Sequence, residues 1–452
     1  MAYTIEQSST GVRGVADEIV FVVKDTDNTA EPKYRYACEV TINSVAVGVF
    51  KQLPNNADCA VFRLNDIVSA YVHQEQNAWR LGKYKTNNEL DTDILFSTNA
   101  YALETVDLDF GYEFATTADD TPTLTLGEAT SSFIAVNGSF QSVTEDSNTS
   151  NVTNYQMSGS TKQFLSDVGN DAGVYNQWVD DDQFGALAFL NGSSIGSSGS
   201  VYLRVDYFEE DGSALNAGYF TNNSAGGGEA PAGGLEDSQS LLYVGCFPQN
   251  LESQTIVTTL QPSDAGNSGW AYYDIRMNTT STGAGVPSSA IYRFHRLGCN
   301  RQTETYVLAW WNSVGGIDQL VFDASHRESQ KIERNKFRQR GGNAYEADGD
   351  TTPYVVNPYE GGLTSAGVQT TTSLELTTRN LKPETINPLI RSLMNSDRVY
   401  AYGLNFGGSI AVTNGYVRVF VTTGQMEYKT STNDRYVSYK VNVEVSRLRQ
   451  NV

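Results

Sequence analysis

Two short acidic runs are the places where side chains able to do chemistry lie closest together in this sequence. They comprise the consecutive Asp180, Asp181 and Asp182, and Glu346, Asp348 and Asp350 within "EADGD". Ca²⁺ takes several oxygen ligands from a tight turn, but neither run has the spacing of an EF-hand loop. Because the formal net charge is −21, acidic surface loops are expected without any metal. We interpret both runs as solvated loops and keep Ca²⁺ binding as the alternative.

The histidines give no catalytic pattern. His73, His295 and His326 are isolated from one another, and His295 alternates with Tyr292 and Phe294 as in a strand. No signature of a serine hydrolase, zinc peptidase, P-loop or dinucleotide site occurs. Paired carboxylates that cleave a glycosidic bond would have to converge from distant strands, so a polysaccharide depolymerase stays an open alternative. We expect no catalytic residue, no metal and no cofactor.

The composition predicts a mostly β protein. The 452 residues include 26 Tyr and 19 Phe, with frequent Val, Thr, Asn and Gly, which favour strands and turns. No apolar run reaches the roughly 20 residues of a membrane span, and "MAYTIEQSST" does not resemble a signal peptide. The cysteines at positions 38, 59, 246 and 299 are scattered singly, so we expect reduced, packed thiols.

Turn signals divide the chain into several β-sandwich-like domains with short helices and a C-terminal α+β unit. The predicted domains are an N-terminal β domain (1–135), a polar linker or long loop (136–161), a central β-sandwich domain (162–325), a basic extended arm and loop (326–372), and a C-terminal β domain with one short helix (373–452).

Local signals predict particular turns and helices. Three hairpin turns are predicted. They lie at the residue pair Asn43-Ser44, at the run "EEDG" after Phe208, and at the pair Asn414-Gly415. Asn65 is the expected N-cap of a helix over "NDIVSAYV". For the C-terminal helix, Asn387 is the expected cap and Pro388 the first helical residue.

The stretch "VLAWWNSVGGIDQLVF" is predicted to form a packed hairpin. Its apolar residues alternate on two covered faces, the glycines supply positive φ for the reversal, and Asp318 is expected to bond to backbone amides of the turn. The residues assigned to this structural hairpin are Trp310, Trp311, Asn312, Gly315, Gly316 and Asp318. Trp178 and Trp270 could offer sugar-stacking platforms, but we favour positions in the core.

The charges are distributed unevenly. Residues 1–326 carry a net charge of −25 and residues 327–452 a net charge of +4. The basic end of one subunit could stack on the acidic end of a neighbour, or the difference could be ordinary unevenness. The one basic run, "HRESQKIERNKFRQR", is interpreted as an arm that contacts a partner rather than nucleic acid, with a solvated strand as the plain alternative. The candidate contact residues are Arg327, Lys331, Arg334, Lys336, Arg338 and Arg340.

The segment "YVLAWWNSVGGIDQLVFDASHRESQKIERNKF" resembles a pattern in virion structural proteins of tailed bacteriophages. In that pattern a strand, a turn with Asn and paired glycines, a second strand and a basic segment follow in order. Trp311, Asn312, Gly315, Gly316, Asp318 and Phe322 match it, whereas Ile317 and Gln319 stand where aromatic residues are expected. The C-terminal "NLKPETINPLIRSLMNSDRVYAYG" and the final long strand are similar to the closing domain of the same proteins.

The resemblance implies a non-enzymatic structural subunit of a tailed phage virion, from the tail, neck or collar, or baseplate region. Such a subunit assembles in the host cytoplasm, and its implied partners are copies of itself in a ring or tail-tip oligomer and other virion proteins. We expect no contact with nucleic acid. A receptor-binding or carbohydrate-binding module on a virion surface is the alternative from another class.

Overall fold

The computed structural model describes most of the chain. The described residues are 3–72, 83–84, 90–91, 96–98, 103–141, 151–191, 202–221, 241–253, 257–278, 287–298, 305–339, 346–347, 350–351, 362–402, 405–406, 410–411, 417–428, 435–445 and 449–451. The protein is mostly β, as predicted, with several separate sheets and few short helices.

The first part of the chain contains eleven of the strands and one helix. The strands are β1 (Tyr3–Gln7), β2 (Gly11–Gly14), β3 (Val20–Asp25), β4 (Arg35–Ile42), β5 (Val45–Gln52), β6 (Cys59–Arg63), β7 (Lys83–Tyr84), β8 (Leu90–Asp91), β9 (Phe96–Thr98), β10 (Leu103–Phe114) and β11 (Thr123–Val136). Helix α1 spans Asn65–Tyr71.

The middle part continues with β12 (Gln156–Met157), β13 (Asn170–Asp171), β14 (Val174–Val179), β15 (Ala186–Asn191), β16 (Tyr202–Phe208), β17 (Ala214–Thr221), β18 (Leu241–Gly245), helix α2 (Pro248–Glu252), β19 (Tyr272–Asn278), β20 (Ile291–Arg296), β21 (Tyr306–Trp311) and β22 (Ile317–Phe322). Single 3₁₀ turns occur at Asn151–Asn154 and Thr258–Leu260.

The last part contains β23 (His326–Gln339), β24 (Glu346–Ala347), β25 (Asp350–Thr351), β26 (Gly362–Thr377), helix α3 (Pro383–Asn395), β27 (Val399–Tyr402), β28 (Asn405–Phe406), β29 (Ile410–Ala411), β30 (Val417–Val421), β31 (Lys440–Val445) and β32 (Arg449–Asn451).

The chain divides into two compact units that alternate along the sequence. The first comprises residues 1–299, 309–320 and 384–397, and the second comprises 300–308, 321–383 and 398–452. Helix α3 therefore belongs to the first unit apart from its first residue. The domain boundaries expected from the sequence stay a prediction.

In the first unit, a three-stranded sheet (β1-β3-β6) packs on a five-stranded sheet (β2-β11-β10-β4-β5). Aromatic rings fill the space between the two sheets, with the Phe21 ring centroid 5.7 Å from that of Phe110 and 5.9 Å from that of Phe133. Alternate residues of each strand point into this core, so the arrangement is a β-sandwich.

The same unit contains a four-stranded sheet (β12-β15-β18-β9) and a six-stranded sheet (β13-β14-β20-β19-β16-β17). Phe164 lies between them, with ring contacts to Phe189 of β15 and Tyr292 of β20. The strands β15 and β18 are buried on both faces, which explains their nearly continuous apolar sequences.

The second unit is built on the sheet β22-β21-β27-β30-β31-β26-β23, with β32 also paired to β26. Residues 309–320 at the hairpin ends of β21 and β22 belong to the first unit. The segment that ends in β31 follows the predicted alternation, because Val437, Tyr439, Val441 and Val443 are buried and Val445 is half-buried. The β23 and β26 strands pair with each other over fourteen residue pairs, which we call the ribbon, and the other side of β26 pairs with β31 at residues 373–377 and with β32 at residues 368–370.

Two predicted hairpins are confirmed. Residues Asn43 and Ser44 both have positive φ, as a tight turn between β4 and β5 requires. The "EEDG" run joins β16 to β17, with Gly212 at φ +88° and the Glu209 amide donating to the Ser213 carbonyl. The predicted turn at Asn414-Gly415 lies outside the described residues.

Both predicted helix starts were wrong. The N-cap of α1 is Leu64, whereas Asn65 is already helical. The side-chain oxygen of Asn65 accepts from the Ile19 backbone amide, and its side-chain NH2 group donates to the Asp17 carbonyl. Helix α3 begins at Pro383 rather than after Asn387, so Pro388 lies inside it. A proline there removes only one helical bond, to the carbonyl of residue 384, and burial of the apolar face outweighs that loss.

None of the helices in the described part of the chain is long and apolar enough to cross a membrane. Cys38, Cys59 and Cys246 are free thiols, while Cys299 lies outside the described residues. Burial raises the pKa of Cys38 to about 12, so this thiol is not reactive at neutral pH.

Candidate functional site

The predicted hairpin forms as expected, and every residue of its two strands is buried. Asn312 closes the turn three times, because its amide donates to the Gly316 carbonyl, its carbonyl accepts from the Gly315 amide, and its side-chain oxygen accepts from the Gly316 amide. The side chain of Trp310 is fully buried, and its indole N–H donates to the Ser392 hydroxyl over 3.0 Å. The two tryptophans of the hairpin are therefore core residues.

Asp318 does not bond to the backbone amides of its own turn, contrary to the prediction. Its carboxylate accepts from the Ser166 hydroxyl (2.5 Å), the Asp167 backbone amide (2.8 Å) and the side-chain amide of Asn312 (3.0 Å). Asp318 thus joins the turn to the segment that follows Leu165, whose carbonyl accepts from the Asn312 side chain. We call Asn312, Asp318, Ser166, Asp167 and the Leu165 carbonyl the hairpin network.

Backbone approaches on both sides of the turn require glycine. A Cβ at Gly315 would lie 1.6 Å from the Asn137 carbonyl oxygen, and φ there is +84°. At Gly316 a Cβ would lie 1.8 Å from the Leu165 carbonyl oxygen. The sequence pointed to this site through the paired glycines and Asn312. It gave no indication that Ser166 and Asp167 take part, because they are about 150 residues away in the chain.

The electrostatics of the hairpin network are unusual for a carboxylate. Exclusion from water, together with the nearby carboxylate of Asp167, raises the pKa of Asp318 to about 7, although its three hydrogen-bond donors favour the charged form. Perturbed carboxylates are frequent in active sites, but structural networks also produce them. Here every hydrogen bond that Asp318 accepts comes from a donor of the protein itself.

A cleft of about 480 Å³ lies beside the turn in the first unit. Its lining includes the polar residues Asn312, Ser313, Asp167, Arg391 and Asp397. The Ser313 hydroxyl is 3.1 Å from the Asp167 carboxylate, and among the described residues no histidine lines the cleft.

The acidic runs show no ligand set in the described residues. Asp181 forms a bidentate ion pair with Arg296, with a shortest N–O distance of 2.6 Å. Asp348 lies outside the described residues, and only the backbone of Glu346 and Asp350 is described. Throughout the part of the chain that the structure describes, no three His, Cys, Asp or Glu side chains are placed to hold a metal ion.

An aromatic row crosses the outer face of the six-stranded sheet. Trp178, His295, Tyr272 and Phe208 are cross-strand neighbours, with ring centroids 4.9, 5.8 and 5.0 Å apart in that order. Trp178 is half-buried, so the prediction of a core position was wrong for it, whereas Trp270 is 2% exposed. Because neighbouring rings of the row cover one another, free ring faces are expected only at its two ends, Trp178 and Phe208.

Of the three histidines, two lie outside the lining of the cleft and one lies outside the described residues. His295 lies 3.0 Å from the Asn176 side-chain oxygen within the row, and His326 contacts the Tyr306 ring edge-on. His73 lies outside the described residues.

The basic run forms β23, and every residue from Arg327 to Gln339 is exposed. Lys331 pairs with Glu333 on the same strand, over 2.6 Å, with both side chains largely exposed. Arg334, Lys336 and Arg338 alternate on the opposite face, and among the described residues none of them forms an ion pair. Arg327 is exposed at the base of the strand, and Arg340 lies outside the described residues.

Compared with known proteins, the chain matches no protein-family model and no curated protein.

Gly315→Val will prevent folding of the hairpin region, because the added side chain would overlap the Asn137 carbonyl and force a β-branched residue to positive φ. We expect little or no soluble protein. The matched control is Gly159→Ala in the same unit, where a Cβ meets nothing within 4 Å. A soluble Gly315→Val chain with the wild-type melting temperature (Tm) would contradict the assignment.

Asp318→Asn will stabilise the protein increasingly as the pH rises. The folded pKa of Asp318, about 7, is above its unfolded value of 3.8, so the folded protein loses stability as the pH rises through that interval. The loss reaches up to about 4 kcal/mol when the buried charge is complete. An asparagine remains neutral: its side-chain oxygen can accept from the Asp167 amide and from Asn312, and its NH2 group can donate to the Ser166 hydroxyl instead of accepting from it.

The measurement is the Tm of Asp318→Asn minus that of the wild type at pH 5 and at pH 8. This difference should be roughly 3 °C larger at pH 8 than at pH 5. The control Asp107→Asn removes an exposed carboxylate of β10 and should show no such trend. A difference that stays constant with pH would show that Asp318 does not bury its charge at a cost.

Proposed function

We propose that this chain is a non-enzymatic structural subunit of a tailed phage virion, from the tail, neck or collar, or baseplate region. It acts by self-assembly and by contacts with neighbouring virion proteins. The residues that carry the resemblance to phage virion proteins form the turn and the hairpin network, which is what a structural signature requires.

The observation that carries the proposal is the ribbon of β23 and β26. Its fourteen residue pairs extend about 45 Å at 3.3 Å per residue. Along β23 both faces are exposed, and Ile332 and Phe337 expose 49% and 46% of their surface. Toward its far end, where β26 residues 362–367 pair only with β23 among the described residues, the ribbon is two-stranded and largely exposed, and two strands without a hydrophobic face are only marginally stable in water. A partner that covers the ribbon supplies the missing burial, so the ribbon supports a role in assembly.

The chemistry of the interior supports the same function. Asp318 is the one described carboxylate whose pKa is raised to near neutrality, and its hydrogen bonds all serve packing. Among the described residues, no histidine lines the cleft beside the turn. A subunit that works through shape and interfaces needs rigid packing of this kind and no reacting group.

One observation favours a carbohydrate-binding or receptor-binding module as the second candidate. Trp178 ends the aromatic row on a solvent-facing sheet, and an open indole face is what a sugar ring stacks on. The candidate is weaker than assembly, because the rings between the two ends of the row are covered by their neighbours and leave only edges to solvent.

Assembly predicts that the full-length chain sediments as an oligomer at micromolar concentration and is a component of purified particles. The particles are imaged by negative-stain microscopy with an antibody against this chain. We expect labelling at one defined place along the tail axis. A chain that stays monomeric at all concentrations and is absent from particles would overturn the proposal.

The second candidate predicts binding on a glycan array that Trp178→Ala reduces at least tenfold. The control is Tyr436→Ala, which removes an exposed aromatic ring in the other unit. If the wild-type chain binds no glycan, or if both variants bind equally, the carbohydrate-binding role is excluded for this surface.

A further inference from the structure

Strand β23 is the edge of its sheet. One side of it bonds to β26 over its whole length, and the other side pairs with no strand among the described residues. In an antiparallel sheet, alternate residues of an edge strand direct their N–H and C=O groups outward. The fourteen residues of β23 therefore present a row of unused backbone donors and acceptors.

Proteins usually protect such an edge by keeping it short, or by proline, bulges or charges. Strand β23 is long and has no proline, and the bulge of the ribbon places its extra residue in β26 rather than in β23. Only charged side chains remain to protect the edge of β23. The order of these charges along β23 therefore decides whether a second strand is repelled or bound in a particular register.

That order is complementary to itself in one antiparallel register. When a two-fold axis passes through Ile332, each residue faces the one at the same distance on the other side of 332. Glu328 then faces Lys336 of the partner subunit, and Lys331 faces Glu333 of the partner subunit. The symmetry repeats both pairs, which gives four pairs of opposite charge and no like charges opposite each other.

Neighbouring registers lack this complementarity. Moving the axis to Lys331 or to Glu333 places that residue against its own copy. Moving it by half a residue places Arg327 against Lys336 of the partner subunit on one side, or against Arg338 of the partner subunit on the other. Like charges directly opposite destabilise a strand pair. The sequence thus favours one register and opposes those beside it.

Apolar contacts fit the same register. The two Ile332 side chains meet at the axis, where each covers surface that is 49% exposed in the single chain. Arg327 lies opposite Phe337 of the partner subunit, a pair suited to cation–π contact. Because the axis is close to the middle of the strand, thirteen residues of each copy overlap, and the pairing adds on the order of a dozen backbone hydrogen bonds.

We propose that β23 binds the β23 of a second copy of this chain, antiparallel and with the two-fold axis at Ile332. The two sheets become one continuous sheet across the dimer. The inference rests on the proposed assembly function and adds the partner strand, its direction and its register.

Charge exchange tests the register. Glu328→Lys and Lys336→Glu each create two like-charge pairs across the axis, so each is expected to raise the dimer Kd about tenfold. The double variant exchanges the signs and should return the Kd to within about threefold of the wild-type value. Sedimentation equilibrium of the full chain measures each Kd. Glu427→Lys, the same charge change on an exposed loop of the second unit, should leave it unchanged.

Cysteine cross-linking tests the geometry. Ile332→Cys places two thiols opposite each other at the axis, within the Cα separation that a disulfide needs. Ser329→Cys alone should not cross-link, because its copies are six residues apart along the strands, about 20 Å. Combining Ser329→Cys with Asn335→Cys makes the two face each other and should restore the covalent dimer. The wild-type chain gives the background from its own thiols.

The outcomes separate the two proposals. A chain that oligomerises and enters particles, but whose charge exchange fails to rescue or whose Ser329→Cys variant cross-links alone, overturns the β23 pairing and leaves the assembly function standing. A monomeric wild-type chain that is absent from particles overturns both. Rescue by the double exchange together with the expected cross-links supports the dimer.

Discussion

The turn at Asn312 holds together segments that are far apart in the sequence. Two distant segments contact the hairpin at this turn: the end of β11 near Asn137 and the segment from Leu165 to Asp167. Their backbones come so close that only glycine fits at two positions. Ser166, Asn312 and Asp318 are buried there, and these polar groups are satisfied by hydrogen bonds within the hairpin network. An unsatisfied group in such a place would cost about 1 to 3 kcal/mol, so the network tolerates few substitutions.

The carboxylate at the centre of this network creates a conflict between burial and hydrogen bonding. Three donors hold Asp318 in place, while desolvation and the neighbouring Asp167 oppose its charge. The protein retains the residue because an acceptor is needed by all three donors. Perturbation of its pKa is thus a consequence of packing, and a raised carboxylate pKa does not by itself indicate catalysis.

The ribbon shows the opposite balance. The hairpin network buries polar groups and satisfies each, whereas β23 exposes a backbone edge and large side chains such as Ile332. The interior therefore supplies rigidity, and the ribbon offers the surface that the proposed assembly would use. Because a strand edge offers backbone bonds to any strand, specificity must come from side chains, and the alternating signs around Ile332 can provide it.

The sequence by itself determined the β class, the hairpin turns at Asn43-Ser44 and after Phe208, the packed hairpin at Trp310 and the extended basic strand, since these follow from local alternation and turn chemistry. Only the tertiary structure decided the partners of Asp318, the outward position of Trp178 and the start of α3. All three depend on which segments contact one another in the folded chain. They involve hydrogen bonds between residues about 150 positions apart, the strand face that packs on the core, and the burial that lets a helix include Pro388. The local sequence pattern carries no information about such long-range contacts.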